Sequence, residues 1–387
     1  MERILVVAND FPYPMNNPVS LDTWGRIQAL KRLGFVVDMV ATPWTTPSAE
    51  DIRMARQEVD QLLIVDRQRD WKAALSWQPY QLQSRAGLRT ADLSGEYAAV
   101  VLEAEKVAPI LRNPRLRARK YILRLHNDEA RFAREIGRSS KNLLEKLFHA
   151  TEAARFMIVT PFIHSRCHAL WFVSDFEMKE HLKKHPADER KSFFVPAAIE
   201  TTAMRRQSLR GQKVLFVGTL SLPSNLRAVE WYIFNVHPLL CTVPEYRFVV
   251  AGSTRGASTR ALREMTQRHP NITLYEDPAD LEGLYRDAAV FVNPVLRGAG
   301  IKRKTIDAIQ SGLPVVSTLI GIEGSRLEPE KHVLIGDSAQ SFANRVRRLL
   351  NDKNLGQELV TSAQDFLTRE YDQKRIIAQS LSQIAAV

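Results

Sequence analysis

Short runs of apolar residues alternate with longer amphipathic segments along almost the whole chain. In the first half the runs are rich in β-branched residues, which is typical of buried strands. The runs that predict strands are RILVVA (Arg3–Ala8), VVDMVA (Val36–Ala41), QLLIVD from Gln61, AAVVLE from Ala98, YILRLH from Tyr121 and ALWFVS from Ala169. Helical patterns fill the intervals, including Leu21–Leu33, which Gly34 ends, and a long helix at Glu129–Ala154. This repetition predicts a mostly parallel sheet covered by helices on both faces.

The alternation of apolar runs and amphipathic segments is interrupted by the polar segment Pro196–Lys213, which we interpret as a linker. It resumes after this segment. The second set of predicted strands comprises KVLFVG from Lys213, YRFVVAG from Tyr246, NITLYE from Asn271, AVFVNP from Ala289, LPVVST from Leu313 and HVLIG from His332. Two further helices are predicted from about Ala339 onward. We therefore predict an α/β protein of two doubly wound Rossmann-like domains that face each other across a cleft. The predicted domains are residues 1–200, rejoined by the C-terminal helix at about 370–387, and residues 201–369.

The charge balance adds a prediction about partners. The net charge is +11 and the pI about 9.7, which favours contact with anions or anionic surfaces. The excess is concentrated in Arg112–Arg124, which carries six basic residues and no acid. No zinc-finger spacing, aromatic RNA-binding stripe or recognition helix indicates nucleic acid. The patch is therefore interpreted either as a solvated face or as a contact with an anionic membrane.

Cysteine content and hydropathy predict the compartment. The two cysteines, Cys167 and Cys241, cannot form a disulfide framework, and no apolar run is long enough to span a bilayer. The N-terminus lacks the cleavage pattern of a signal peptide. We expect a cytoplasmic protein, with peripheral contact at the inner face of the membrane as the alternative. His164, Cys167 and His168 form a short pattern of possible ligands, but without further ligands we expect no metal site.

Asn293–Thr318 (NPVLRGAGIKRKTIDAIQSGLPVVST) carries the clearest candidate chemistry. It predicts a strand, a glycine-bearing turn, a helix and a second strand. Lys302 and Lys304 stand where that helix begins, although a helix N-terminus already carries partial positive charge. The pattern predicts a site for an anionic ligand.

The turn after the first strand differs from a dinucleotide-binding turn. It lacks G-x-G-x-x-G, so a nicotinamide cofactor is not supported. It offers Asn16, Asn17 and Ser20 ahead of a helix, either as a loop with a helix cap or as a loop that reaches a ligand.

Four segments of the second half resemble the C-terminal domain of glycosyltransferase family 4, whose members have the GT-B fold. They are LFVGTLSLPSNLRAVEW (Leu215–Trp231), FVVAGS (Phe248–Ser253), the long segment Leu274–Thr318 and GIEG (Gly321–Gly324). They follow the order and roughly the spacing of that family. The likeness is weaker in the first half, where RILVVANDFPYP, RLHND and ALWFVSDFEMKEHL carry it.

The resemblance implies a retaining, metal-independent glycosyltransferase that needs no cofactor beyond its nucleotide-diphosphate sugar donor. It implies that Lys302 neutralises the departing β-phosphate, that Asp307 holds the ribose and that His126 contacts the donor sugar. Lys302 and His126 are thus the catalytic candidates. The implied donor-binding set is Gly218, Thr219, Arg297, Gly298, Ala299, Gly300, Ile301, Lys302 and Asp307, with a helix starting near Ile301. Asn16, Asn17 and Ser20 are the acceptor-side candidates.

Two departures from the family pattern affect the interpretation. Many members carry two glutamates eight positions apart, where this chain has Ala299 and Asp307. Many also carry an arginine and a lysine after the first strand of this domain, where Thr219 and Ser224 bring no charge. We expect Lys302, Arg297 or Arg303 to supply it.

The predicted function is sugar transfer to a glycan or lipid-linked acceptor in bacterial-type surface polysaccharide or glycolipid assembly. Two alternatives remain open. One is a weakly active or inactive nucleotide-sugar-binding protein, and the other is a sugar-nucleotide epimerase on the same fold.

Overall fold

The computed structural model describes residues 2–14, 18–68, 76–93, 95–140, 142–199, 204, 209–298 and 300–385. Asn16, Asn17 and Ala299, all candidates from the sequence, lie outside these ranges. The chain divides into two compact units, Met1–Ile199 with Tyr371–Val387, and Glu200–Glu370. The sequence placed the boundary between 200 and 201 and the return of the chain at about 370.

Parallel strands build the sheet of the first unit. They are β1 (Arg3–Ala8), β2 (Val36–Ala41), β3 (Leu62–Ile64), β4 (Glu96–Leu102), β5 (Arg117–Leu125), β6 (Ala169–Phe172) and β7 (Ser192–Phe194). Their order across the sheet is β3-β2-β1-β4-β5-β6-β7. The helices are α1 (Pro18–Arg32), α2 (Ala49–Glu58), α3 (Tyr80–Gln83), α4 (Glu129–Ser139), α5 (Leu143–Ser165) and α6 (Asp175–Lys184). Short 3-10 helices lie at Ala86–Arg89, Glu105–Arg112 and Pro186–Lys191.

The second unit repeats this topology. Its strands are β8 (Lys213–Val217), β9 (Arg247–Gly252), β10 (Ile272–Glu276), β11 (Val290–Asn293), β12 (Val315–Ser317) and β13 (Leu334–Ile335), in the order β10-β9-β8-β11-β12-β13. Its helices are α7 (Pro223–Trp231), α8 (Arg260–Gln267), α9 (Leu281–Asp287), α10 (Arg303–Gln310), α11 (Leu319–Ile322), α12 (Ala339–Asn351) and α13 (Lys353–Glu370). The last helix, α14 (Gln373–Ala385), returns to the first unit and packs on α1.

Three sequence predictions of elements were wrong. The single helix expected at Glu129–Ala154 is two helices, because Asp128 caps the start of α4 and Asn142 caps the start of α5. Three helices, not two, follow Ala339. The three-residue strand β7 was missed, since a run this short carries no periodic signal.

Both sheets have the strand order of a doubly wound fold, and this order positions the candidate site. In each sheet the direction of winding reverses between two neighbouring strands, β1 and β4 in the first and β8 and β11 in the second. The loops that follow such strands diverge and leave a crevice where ligands bind. The segments Gly218–Thr219, after β8, and Pro294–Gly298 with Gly300–Lys302, after β11, therefore meet at this crevice.

Candidate functional site

The turn between β11 and α10 is shaped by two glycines and closed by one lysine. Gly298 and Gly300 have φ of 136° and 76°, a region of backbone conformation that favours glycine. Lys302 caps the start of α10, one residue before its first helical position. Its ammonium donates to the carbonyl oxygens of Gly298, at 3.1 Å, and Gly300, at 2.6 Å. The lysine predicted to face the leaving phosphate thus lies on the turn itself.

Buried polar contacts hold α10 against the ends of β11 and β12. The Asn293 side chain donates to Thr305 Oγ1 at 2.9 Å and to the Gly321 carbonyl at 3.1 Å. Gly321 permits this close packing, since a Cβ there would lie 2.0 Å from Ser317 Oγ. These contacts attach the first turn of α10 to the ends of β11 and β12.

Lys304 is the second cation of the crevice, and its environment differs from that of Lys302. Its ammonium lies 2.5 Å from Asn225 Oδ1 and 4.4 Å from the centre of the Phe216 ring. Asn225 in turn donates to the Thr219 carbonyl at 2.9 Å. Burial, together with the nearby charge of Lys302, lowers the pKa of Lys304 to about 7. A lysine with this pKa gains or loses its charge according to what binds beside it.

Gly218 brings the loop after β8 next to this lysine. A Cβ at Gly218 would lie 2.9 Å from Asn225 Nδ2 and 3.2 Å from Lys304 Nζ. A Cβ at Gly252, at the end of β9, would overlap the Gly218 carbonyl oxygen at 1.7 Å. Gly252 therefore requires glycine, whereas a side chain at Gly218 would displace the Asn225 amide and the Lys304 ammonium, which shows how closely the backbone of this loop approaches Lys304.

Asp307 lies one turn into α10 and pairs with Arg303. Arg303 Nε and Asp307 Oδ1 are 2.7 Å apart, and 40% of the Asp307 side chain is exposed. Surrounding protein raises the pKa of the Asp307 carboxyl, and Arg303 opposes this shift. The carboxylate is accessible to a ligand. Arg297 is exposed on the turn, while Arg303 is engaged by Asp307.

The first unit has a buried charge network at the corresponding edge of its sheet. Arg26 on α1 donates to both oxygens of Glu103, at 2.6 and 2.7 Å, and to Asp22 at 2.7 Å. Arg124 on β5 binds Asp22 at 3.0 Å and also donates to the Val195 carbonyl. Glu103 and both arginines are 0% exposed. The network ties α1 to the ends of β4 and β5.

The two carboxylates stay ionised despite their burial. Burial alone would raise the pKa of Asp22, but Arg124 and Arg26 hold it far below its ordinary value. Burial likewise opposes ionisation of Glu103, but Arg26 and the neighbouring His126 lower its pKa to about 2. Each carboxylate is therefore matched by a guanidinium.

His126 lies above this network, directly after β5. Its Nδ1 is 3.9 Å from Asp22 Oδ2, its Nε2 is 3.7 Å from Glu103 Oε2, and 16% of its side chain is exposed. Asp22, Glu103 and His126 are close enough together to suggest metal ligands. A metal cation would have to displace the guanidinium groups that already bind both carboxylates. Asp22 and Glu103 are therefore better suited to position the His126 imidazole than to bind a metal. Ser20, also on α1, is buried.

The second histidine group of the first unit differs from the pattern considered in the sequence. His164 pairs with Glu105 at 2.8 Å, and His181 pairs with Asp188 at 2.9 Å. Asp188 also binds Lys191 at 3.0 Å. Cys167 is buried in the apolar core, which raises the pKa of its thiol to about 12. The histidines thus have carboxylate partners from other elements, and the reactivity of Cys167 is suppressed.

The structure brings together Gly218, Thr219, Gly298, Gly300, Lys302 and the N-terminal half of α10. Helix α10 starts at Arg303 rather than near Ile301. His126 and Ser20 belong to the first unit. The sequence named Lys304 beside Lys302 at the predicted anion site but gave it no donor-binding role, because a lysine early in a helix is normally a solvated surface residue. Its position two residues after Lys302 was the one available signal.

Comparison with known proteins finds a family match within the second unit. Residues 211–352 match the family described as Glycosyl transferases group 1. Over 390 aligned residues the chain is 28% identical to an uncharacterized 44.6 kDa protein in the cps region of Klebsiella pneumoniae, covering 98% of each chain.

Solved structures share the fold over the full length. Sucrose-phosphate synthase from Thermosynechococcus elongatus has a TM-score of 0.70 at 14% identity, with 100% of each chain covered. Anabaena HepE, solved with UDP and glucose, has a TM-score of 0.66 at 11% identity and the same coverage. TarM from S. aureus, solved with UDP and α-GlcNAc-glycerol, has a TM-score of 0.67 at 9% identity, covering 99% of this chain and 100% of TarM.

Proposed function

We propose that this chain, a glycosyltransferase with the GT-B fold, moves a sugar from a nucleotide-diphosphate sugar to a glycan or lipid-linked acceptor. The two lysines at the crevice between β8 and β11 carry the proposal. Lys302 lies on the glycine turn and Lys304 beside Gly218, so two cations flank the place where a diphosphate would meet the backbone. The cps-region relative supports a role in surface polysaccharide assembly.

The chemistry follows from where negative charge develops. When the bond between sugar and diphosphate breaks, charge grows on the β-phosphate, and a positioned cation stabilises that transition state more than the ground state. We assign this role to Lys302. Lys304, with a pKa of about 7, becomes fully charged when a phosphate binds beside it. Asp307 accepts hydrogen bonds from the ribose hydroxyls.

We further propose that the reaction needs no metal and retains the anomeric configuration, as in glycosyltransferase family 4. The lysines supply the positive charge that a divalent cation would otherwise bring to the diphosphate. The carboxylates nearest His126 are already neutralised by Arg26 and Arg124. His126 contacts the donor sugar, held in place by Asp22 and Glu103, and Ser20 belongs to the acceptor side with Asn16 and Asn17.

A turnover assay with a panel of nucleotide sugars tests the proposal. The expected result is acceptor-dependent release of nucleoside diphosphate that persists in excess EDTA, with a product of the donor's anomeric configuration. Donor binding without turnover would support the inactive-protein alternative, and donor interconversion without acceptor would support the epimerase. Activity that is lost in EDTA and restored by a divalent cation would contradict metal independence.

A further inference from the structure

Helix α5 is apolar on two opposite faces, only one of which packs against the core. The inner face includes Ala153, Phe156, Val159 and Ile163, which are buried. The outer face carries large side chains that are between 57% and 78% exposed: Leu143, Leu144, Leu147, Met157, Ile158 and Phe162. Ala150, Ala154 and Pro161 on the same side are also exposed.

These nine outer residues form one continuous surface. At 100° per residue they fall within an arc of about 140°, and the other members of that arc are Thr151 and Ser165. No charged side chain interrupts the surface over the 23 residues of α5. An uninterrupted apolar face of this length on a helix marks an interaction site.

The surroundings of this face are basic. Residues 129–166 contain seven lysines and arginines and four glutamates, and two of those glutamates, Glu129 and Glu152, are buried. At the C-terminal end of α5, Phe162 borders a cavity of about 180 Å³ together with Trp77, which is 65% exposed. Three arginines also line that cavity, Arg89, Arg112 and Arg166. Among the described residues, no acid forms an ion pair with Arg112 or Arg166.

We propose that the outer face of α5 docks on the surface of an anionic lipid bilayer. The apolar face would contact the boundary of the acyl chains, and the arginines beside it would bind lipid phosphates. The exposed tryptophan would lie in the interfacial layer between them. A second copy of the chain fits less well, because a two-fold contact would bring one basic border against the other. Among the described residues, no helix is long and apolar enough to cross a membrane.

This surface differs from the basic segment that the sequence suggested. Within Arg112–Arg124, Arg115 pairs with Asp92 at 2.5 Å, Arg117 lies 3.8 Å from Glu96, and Arg119 pairs with Glu2. Arg124 is fully buried in the network with Asp22. The acids beside these arginines offset part of their attraction to lipid phosphate, and Arg112 is the member of the segment that lines the cavity beside α5.

Vesicle flotation, performed without donor or acceptor, tests the proposal independently of the proposed function. The wild type is expected to float with phosphatidylcholine vesicles that contain phosphatidylglycerol, and much less with phosphatidylcholine alone. The double variant Leu147→Glu/Ile158→Glu should lower the bound fraction by about tenfold or more, because two apolar side chains no longer enter the bilayer. Phe162→Glu should act in the same direction.

Matched variants separate this surface from the others. Phe234→Glu replaces a 62% exposed phenylalanine of the second unit and should leave binding unchanged. Arg112→Ser/Arg166→Ser should weaken binding to anionic vesicles, while Arg115→Ser/Arg117→Ser/Arg119→Ser should not. Circular dichroism verifies that each variant is folded.

Three results would overturn the proposal. The first is a wild type that does not float with anionic vesicles. The second is a Leu147→Glu/Ile158→Glu variant that floats like the wild type. The third is a wild type that light scattering shows to be a dimer, which that variant converts to a monomer, since the face would then be covered by a second copy.

Discussion

Lys302 and Lys304 are two residues apart, yet the structure gives them different environments. Lys302 binds the carbonyls of its own turn, whereas Lys304 points between Asn225 and the Phe216 ring. Their proposed roles therefore separate experimentally. Lys302 is expected to govern turnover, and Lys304 the pH dependence of donor binding.

Substitution of Lys302 by alanine should lower kcat by about 10²-fold or more, the scale for loss of one positioned charge contact in a transition state. The unfolding midpoint should change little, because the ammonium bonds to the Gly298 and Gly300 carbonyls of its own turn rather than to the core. Steady-state kinetics test this, with Lys331→Ala, an exposed lysine of the same unit, as control. Turnover within about twofold of wild type would remove Lys302 from the mechanism.

Donor affinity should fall as the pH rises through about 7, because Lys304 loses its charge in that range. An intact nucleotide sugar is the right probe, since its diphosphate does not titrate there, unlike a free terminal phosphate with a second pKa of about 6. Calorimetry from pH 6 to 9 should show this slope in the wild type and none in Lys304→Met. A slope that persists in the variant would assign the titration to another group.

The same shift has a consequence for stability. The pKa of Lys304 is lower in the folded protein than in the unfolded chain, so between about pH 7 and 10.5 the unfolded chain binds more protons. The contribution of Lys304 to the free energy of unfolding therefore increases as the pH rises through this window. Lys304→Met should remove that increase in urea titrations.

Asp307→Ala should weaken binding of nucleoside diphosphate by about 1.5–3 kcal/mol, typical for hydrogen bonds to a charged group. The free diphosphate should lose as much affinity as the whole donor, because the proposed contact is to the ribose. Glu264→Ala provides a matched control, since Glu264 also accepts from an arginine four residues away at 2.7 Å. Unchanged calorimetric affinity in Asp307→Ala would refute the assignment.

At the scale of elements, the first turns of α1 are attached to the sheet by charge rather than by apolar packing alone. Asp22 sits between two buried guanidiniums, so Asp22→Asn leaves Arg26 and Arg124 short of negative charge. We expect a loss of about 3–5 kcal/mol in the free energy of unfolding, as when one partner of a buried ion pair is removed. Glu50→Gln on α2, with 79% of its side chain exposed, is the control and should change stability by less than about 0.5 kcal/mol.

The decrease of the free energy of unfolding at acidic pH gives a further test of this network. Asp22 and Glu103 have lowered pKa values in the folded state, and that of Glu103 is about 2. Their stabilisation is complete above the ordinary carboxyl pKa of about 4 and is lost as the pH falls toward 2. In Asp22→Asn, the free energy of unfolding should depend less steeply on pH in this acidic range. An unchanged dependence would show that the network does not control it.

At the scale of the whole molecule, the end of the chain completes the unit in which the chain begins. Tyr371, Ile377 and Ile384 are buried in the first unit, and Trp171 on β6 donates to Ser380 at 2.6 Å. Truncation after Glu370 removes all these contacts. The first unit should then lose its cooperative unfolding transition, since each buried side chain contributes about 1.5–3 kcal/mol.

Point substitutions give the same test in the full-length chain. Ile377→Ala should destabilise the first unit by about 2–4 kcal/mol through the cavity it leaves. Gln383→Ala, on the exposed side of α14, should have little effect. Urea denaturation followed by tryptophan fluorescence measures both, and equal midpoints would mean that α14 contributes little to the first unit.

The sequence by itself determined the fold class and most strands, because both depend on local periodicity. β1 and β2 begin and end where the apolar runs do, and the predicted α/β architecture is confirmed by the strand orders and the GT-B neighbours. The glycosyltransferase prediction, which rested on a chain of motifs at family spacing, is confirmed by the match over residues 211–352. Gly298 and Gly300 were identifiable for the same reason, since only glycine adopts such turns without strain.

Only the tertiary structure decided how side chains distant in sequence combine. Arg124 is one of six basic residues in a short run and falls in a predicted strand, but the sequence does not show that Asp22, 102 positions away, compensates its charge and allows it to be buried. Lys304 was expected at the start of a helix beside an anion site, but only the structure shows Phe216 on β8 and Asn225 on α7 around it, the environment in which its pKa is lowered. Apolar periodicity shows that a helix face is hydrophobic but not what covers it, so the exposure of the outer face of α5 is visible only in the structure.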